Sequence, residues 1–191
     1  VATDTDHALD QIIAAANQGH WNGVVFDIEN MPDSALPRYL AFLEKAKPRF
    51  AAAGLRLALT VPAGEPVWDE ARFARTVDML ILMNYDQHWQ GGEPGPIAAN
   101  DWFASELARA EKDVPASKLV VAIGSYGYDW HDGKADALTI GEAWLAARDS
   151  STQPQFDPAS GNSGFAYDQS DASGNHRHTV WMMDEIGRAH V

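Results

Sequence analysis

The chain has 191 residues, 46% of them hydrophobic, and carries 14 Lys and Arg against 27 Asp and Glu, a formal charge of −13. Such an acidic surface repels nucleic acid and anionic membranes, no apolar run reaches the roughly 18 residues of a membrane span, and the lack of cysteine excludes disulfide and thiol chemistry. A folded domain with its own core and a neutral ligand fits these bounds best.

Leu9, Ile12, Ile13 and Ala16 recur at helical spacing and Gly19 stands where a helix would stop, so the spacing predicts a helix over 6–17. The run Asn22-Gly23-Val24-Val25-Phe26-Asp27-Ile28-Glu29-Asn30 follows. A strand there puts Val25, Asp27 and Glu29 on one face and Val24, Phe26 and Ile28 on the other. Leu36, Leu40, Leu43, Ala46 and Phe50 trace a helix over 37–53, which Pro48 should kink and Gly54 end. Next come a strand over 55–62, a short helix over 67–77, a buried strand over 79–85, a helix over 101–113 and a strand over 119–123. Strands and helices in alternation, with the strands almost continuously apolar, argue for an α/β fold whose parallel sheet is covered by helices.

Beyond Trp130 the pattern loosens into an insertion-rich stretch, 131–178, with one helix over 139–147. Residues 165–168 and 178–181 read as an antiparallel pair around the Asp171-Ala172-Ser173-Gly174 turn. Asp4, Asp6 and the acidic stretch 129–136 read as solvated faces. His176 and His178 have a spacing a metal could use, but no acid or cysteine cluster matches them, so an exposed hairpin is the expectation, with no metal and no cofactor. Residues 186–191, Ile-Gly-Arg-Ala-His-Val, match what a common sequencing adapter encodes and are expected to be read-through.

Asp27 and Glu29 after an apolar strand, with Gly23 ahead of them, resemble the Asp-Gly-x-Asp-x-Asp-x-Glu of the fourth strand in glycoside hydrolase family 18, the chitinase-like barrels. Asn22 and Val25 replace its first two aspartates. Three further stretches resemble the family in order. Met83-Asn84-Tyr85-Asp86 is similar to the Met-x-Tyr-Asp that ends strand six, Lys118 to Trp130 to strand seven, and Val180 to Asp184 to strand eight. The resemblance implies a truncated (β/α)8 TIM barrel, roughly strands 4 to 8, over residues 1–185, since a whole barrel takes about 250 residues and no segment matches strands one to three. Parallel strands should begin near 23, 55, 79 and 118, with a partial strand near 179 beside the last of them.

In this family the substrate's own acetamido group replaces a second protein carboxylate as nucleophile. The resemblance therefore implies hydrolysis of N-acetylglucosamine-containing polysaccharide, whether chitin-like, peptidoglycan or exopolysaccharide, with retention. Its catalytic residues are Glu29 as acid, Asp27 as holder of the acetamide, and Tyr85 and Asp86. Trp181, Met83, Tyr126, Tyr128 and His88 are the implied substrate contacts, and Trp89 and Trp130 could extend the groove. Residues 1–185 alone are expected to be inactive. A rival from another class is a chitinase-like lectin that binds such glycans without cleaving them. Val25 and Asn22 favour that rival, and Glu29 favours the enzyme. The resemblance also suggests fusion to other polysaccharide-processing domains, and an extracellular or envelope-facing location.

Overall fold

The computed structural model describes residues 5–172 and 174–184; Asp4, Glu185 and the 186–191 tail lie outside the described residues. The chain divides into two compact units, one of residues 1–83 and 109–121, the other of 84–108 and 122–191.

The first unit holds helix α1 (Thr5–Gln18), strand β1 (Gly23–Phe26), helix α2 (Leu36–Ala52), strand β2 (Arg56–Pro62), helix α3 (Glu70–Thr76) and strand β3 (Met79–Met83). β1 and β3 flank β2 in parallel register, with Gly23 opposite Arg56 and Ala58 opposite Met79, and β4 (Leu119–Ala122) is the fourth strand, beyond β3. The four expected parallel strands are present, close to their expected starts.

Alternation along the strands explains the packing. Leu57, Leu59 and Val61 of β2 and Leu80 and Leu82 of β3 are fully buried against Leu9 and Ala16 of α1, Leu40, Leu43, Ala46 and Phe50 of α2, and Phe73 of α3. Each of the leucine, valine and phenylalanine side chains contributes about 1.5–3 kcal/mol when removed from water. Pro48 sits inside α2 without ending it. Lys118 ties its ammonium to the carbonyls of Ala74 and Val77 at 2.8 and 2.9 Å, which secures the end of α3.

The second unit contains a five-stranded antiparallel sheet in the order β6-β5-β9-β8-β7, made of β5 (Tyr126–His131), β6 (Lys134–Thr139), β7 (Gln155–Asp157), β8 (Asn162–Asp171) and β9 (Gly174–Met182). Helix α4 (Asn100–Asp113) precedes β4, and α5 (Ile140–Asp149) joins β6 to β7. A reciprocal cap starts α5, in which Thr139 Oγ1 accepts from the Glu142 amide and Glu142 accepts from the Thr139 amide. Ala143 and Ala147 of α5 pack on Phe165, Val180 and Met182.

The sheet corrects one expectation. The strand near 179 pairs with β5 and β8, antiparallel to both, and not with the strand that begins near 118. The reason is local. Asp132 and Gly133, at φ 48° and 71°, turn the chain back after β5, which creates an antiparallel hairpin for β9 to extend. The expected 165–168 and 178–181 pair is longer than foreseen and closes where Asp171 faces Gly174.

Candidate active site

In the first unit the β1–β2 ladder ends at Phe26, so Asp27, Ile28 and Glu29 lie past the strand's C-terminal end and all three are exposed. Val24 and Phe26 turn to the helical core. Val25 turns the other way and is 50% exposed, opposite Ala58. Thr60 of β2 donates its hydroxyl to Asp27 Oδ1 at 2.6 Å, which fixes the carboxylate from the neighbouring strand.

Thr60 is a contact of this candidate site that the sequence did not single out. Its signal was a lone hydroxyl in the apolar run LRLALTVP. Burial, and then the charge of Asp27, push the Tyr39 phenol well above its usual range. The buried Tyr39 hydroxyl has no hydrogen-bond partner among the described residues. Met83 ends β3, half-buried, and its carbonyl accepts from the Ala63 amide at 3.1 Å.

In the second unit the segment after β3 is pinned along its length. The buried Asn84 donates its side-chain amide to the Phe103 carbonyl at 3.0 Å, and its backbone N–H goes to the Ala122 carbonyl at 3.2 Å. Gln87 pairs its backbone N–H with Ile97 at 2.9 Å and accepts from the Ala99 amide at 2.7 Å. Asn162, wholly buried, accepts from Ile97 N–H at 3.1 Å and donates to the Ala98 carbonyl at 2.7 Å. Between these anchors Asp86 takes φ 64°, a left-handed conformation uncommon for a residue with a Cβ. His88 donates Nδ1 to the Glu93 carbonyl at 3.0 Å, and a Cβ at Gly95 would meet its ring at 2.5 Å, so only glycine fits there.

Alternation on β5 sends Tyr126, Tyr128 and Trp130 to one face. Successive ring centroids along that face lie 5.3 and 5.4 Å apart, edge to face, and Tyr85 meets Tyr126 at 5.9 Å. Both phenols donate to Asp86 Oδ1, that of Tyr128 at 3.0 Å and that of Tyr126 closer. Burial, then the hydrogen bond and charge of Asp86, push the Tyr126 phenol far above its usual range. Trp181 stands opposite Tyr128 in the ladder and so shares this face. Gly164 lies across from Trp181, and a Cβ there would come within 3.1 Å of the indole. Tyr85, Asp86, Tyr126, Tyr128 and Trp181 thus belong together in the second unit, while Asp27, Glu29 and Met83 belong to the first.

The opposite face of the same sheet holds a histidine and aspartate network that corrects two expectations. Asp129 and His178 are buried, at 6% and 7% exposure, where a solvated stretch and an exposed hairpin had been expected. Asp129 Oδ2 accepts from His178 Nδ1 at 2.8 Å and from the Tyr167 hydroxyl at 3.0 Å. The His178 ring is stacked between His131 and Tyr167, each 4.5 Å away. Non-local stacking of this kind, which the sequence does not display, buries the pair. Asp6, Asp132, Asp136 and His176 are exposed or half-exposed, as expected; His176 bridges Asp132 at 2.8 Å and Asp171 at 3.2 Å. No group of three or more ligating side chains that could hold a metal occurs among the described residues. Nor does any described helix have the length and apolarity to cross a membrane.

The family model described as "Glycosyl hydrolases family 18" matches residues 2–185. The uncharacterized glycosylase YvbX of Bacillus subtilis (strain 168) is 27% identical over 189 residues, covering 92% of this chain and 54% of that protein. A cortical fragment-lytic enzyme of the same organism is 26% identical over 191 residues, covering 92% of this chain and 44% of the enzyme. The crystal structure of a chitinase from Chromobacterium violaceum superposes with a TM-score of 0.84 at 27% identity, over 96% of this chain and 60% of the chitinase. The chain spans about half the length of the curated relatives it matches. With the family model covering nearly all of it, the chain belongs to glycosyl hydrolase family 18.

Proposed function

Starting from family 18 membership, we propose that the chain hydrolyses glycosidic bonds in an N-acetylglucosamine-containing polysaccharide by the substrate-assisted, retaining route. The observation that carries this reading is the presentation of Asp27 and Glu29 just past the C-terminal end of a parallel strand, with Asp27 held by Thr60. Strand ends of that kind are where β/α barrels keep their catalytic groups. Val25, 50% exposed beside Ala58, lies on a sheet face that the helices leave open, which supports reading β1 to β4 as the fourth to seventh strands of a β/α barrel.

Glu29 protonates the glycosidic oxygen as the bond to the anomeric carbon breaks. The carbonyl oxygen of the 2-acetamido group closes on that carbon and gives an oxazolinium ion, while Asp27 accepts the acetamido N–H and offsets the positive charge. Water then opens the ring, and Glu29, now a carboxylate, takes the water's proton. Tyr85 donates to the acetamido oxygen, Asp86 holds the sugar, and Trp181 is the flat surface on which the ring's C–H groups stack. Met83 and His88 line the substrate, and Tyr126 and Tyr128 adjoin it through Asp86, to which both donate. The relatives' names, a cortical fragment-lytic enzyme and a chitinase, support a structural polysaccharide such as chitin as the polymer class.

The test uses the full-length protein with N-acetylglucosamine oligomers and with peptidoglycan fragments. Glu29→Gln should lower turnover about 10² to 10⁴-fold, the usual cost of losing a general acid, with binding retained. Unchanged turnover would move the acid elsewhere. A parent protein that binds these glycans and cleaves none is a lectin, the reading that Val25 and Asn22 favour.

A further inference from the structure

We propose that Tyr128, together with Tyr126, is a positioning residue that fixes the carboxylate of Asp86 for catalysis. The inference rests on the assignment of Asp86 to the substrate given above. An exposed aspartate ordinarily samples several rotamers, and ordering it in each turnover costs free energy. Here both phenols donate to the same atom, Oδ1, so neither uses Oδ2. Tyr128 is 8% exposed, and its ring sits edge-on between those of Tyr126 and Trp130. It is therefore a rigid donor.

The same strand fixes the backbone that carries Asp86. Trp130 donates its indole N–H to the Gly92 carbonyl at 3.1 Å, and Gln90 reaches the Ala135 carbonyl on β6 at 3.2 Å. Three alternate residues of β5 thus clamp the segment after Asn84 from one side. Asp86 keeps its left-handed φ of 64° within that clamp, a conformation that persists where the surroundings over-determine it. Hydroxyls already engaged in this way point to action through Asp86. A tyrosine that bound sugar directly would need its hydroxyl open to the ligand.

The experiment compares Tyr128→Phe, Tyr126→Phe, Asp86→Ala and the Tyr128→Phe/Asp86→Ala pair in the full-length protein, on the N-acetylglucosamine hexamer or the peptidoglycan fragments that the parent cleaves. Phenylalanine retains the ring and its edge contacts. Tyr128→Phe should lower kcat about tenfold, the lower end for one hydrogen bond to a charged group, with KM within about twofold. In the Asp86→Ala background the same change should cost less than about twofold, because the group it acts through is gone. Independent, multiplying losses would overturn the inference, as would a raised KM with unchanged kcat, which is the mark of direct sugar contact. Parental rates in both tyrosine variants, with Asp86→Ala impaired, would overturn it alone. An Asp86→Ala variant at the parental rate would overturn the role of Asp86 as well, and Glu29→Gln would then report whether the rest of the site stands. If Tyr128→Phe does not fold, Tyr126→Phe is held to the same criteria, paired with Asp86→Ala.

Discussion

Asn162→Ala removes one fully buried side chain and should destabilise the protein severely. The amide accepts from Ile97 N–H at 3.1 Å and donates to the carbonyls of Ala98 and Ser160 at 2.7 and 3.0 Å. Ser160 is not orphaned by the change, since its carbonyl also accepts from the Asn100 amide at 3.0 Å. Ile97 and Ala98, both wholly buried, are the residues that lose their partner. Each orphaned backbone group costs about 1–3 kcal/mol, which gives a loss of roughly 4 kcal/mol. That is a large share of the roughly 5–15 kcal/mol by which domains are usually stable. Urea unfolding followed by tryptophan fluorescence and by far-UV circular dichroism would measure it. With a slope of about 2 kcal/mol per molar, the midpoint should fall by about 2 M. A shift under about 0.5 M would refute the reasoning, because it would mean that the two groups find other partners and that Asn162 does not anchor the segment following Asp86.

Thr60→Val removes the 2.6 Å bond to Asp27 while keeping the shape of the side chain; kcat on an acetylated glycan should fall about five- to tenfold with the melting temperature unchanged or higher, and steady-state kinetics beside a thermal melt checks both. The hairpin ends should show a pH signature. Asp132 and then Asp171 raise the His176 pKa above its usual 6.5, so its contribution is complete below about that pH and is lost as pH rises through the raised value. His176 lowers Asp132, and His131 lowers Asp136, below the usual 3.8, so theirs is present above that pH and is lost as pH falls. The clasp is therefore strongest between about pH 4 and 6.5, and His176→Asn should flatten the alkaline side of the stability profile; parallel curves for parent and variant would exclude it.

The four parallel strands were legible because each is an almost unbroken apolar run, and such runs are buried on the helical side whatever their neighbours do. Most of the second sheet was not. Tyr126 to His131 alternates large aromatics with Gly127 and Asp129, and Lys134 to Thr139 is mostly exposed, so neither shows the unbroken apolar run that marks the parallel strands. They become strands because Asp132 and Gly133 turn one against the other. The candidate residues Asp27 with Glu29 and Tyr85 with Asp86 carry a local signature. The contacts that orient them do not. Thr60 reaches Asp27 from another strand, and Tyr128 reaches Asp86 across more than forty positions, and neither separation leaves a periodicity to find.

The long β8–β9 pair has a consequence for the order in which the molecule assembles. Its ladder runs from Ser163 opposite Met182 to Asp171 opposite Gly174, so every partner is close in the chain, and hairpins of that kind zip in about 1–10 μs. In the parallel sheet, by contrast, Gly23 waits for Arg56, with a whole helix between them. Contacts so separated must meet the entropy of loop closure before they gain anything. The surface that bears Trp181 over Gly164 is thus expected to be an early folding nucleus, complete before the strand that presents Asp27 and Glu29 has found its neighbour.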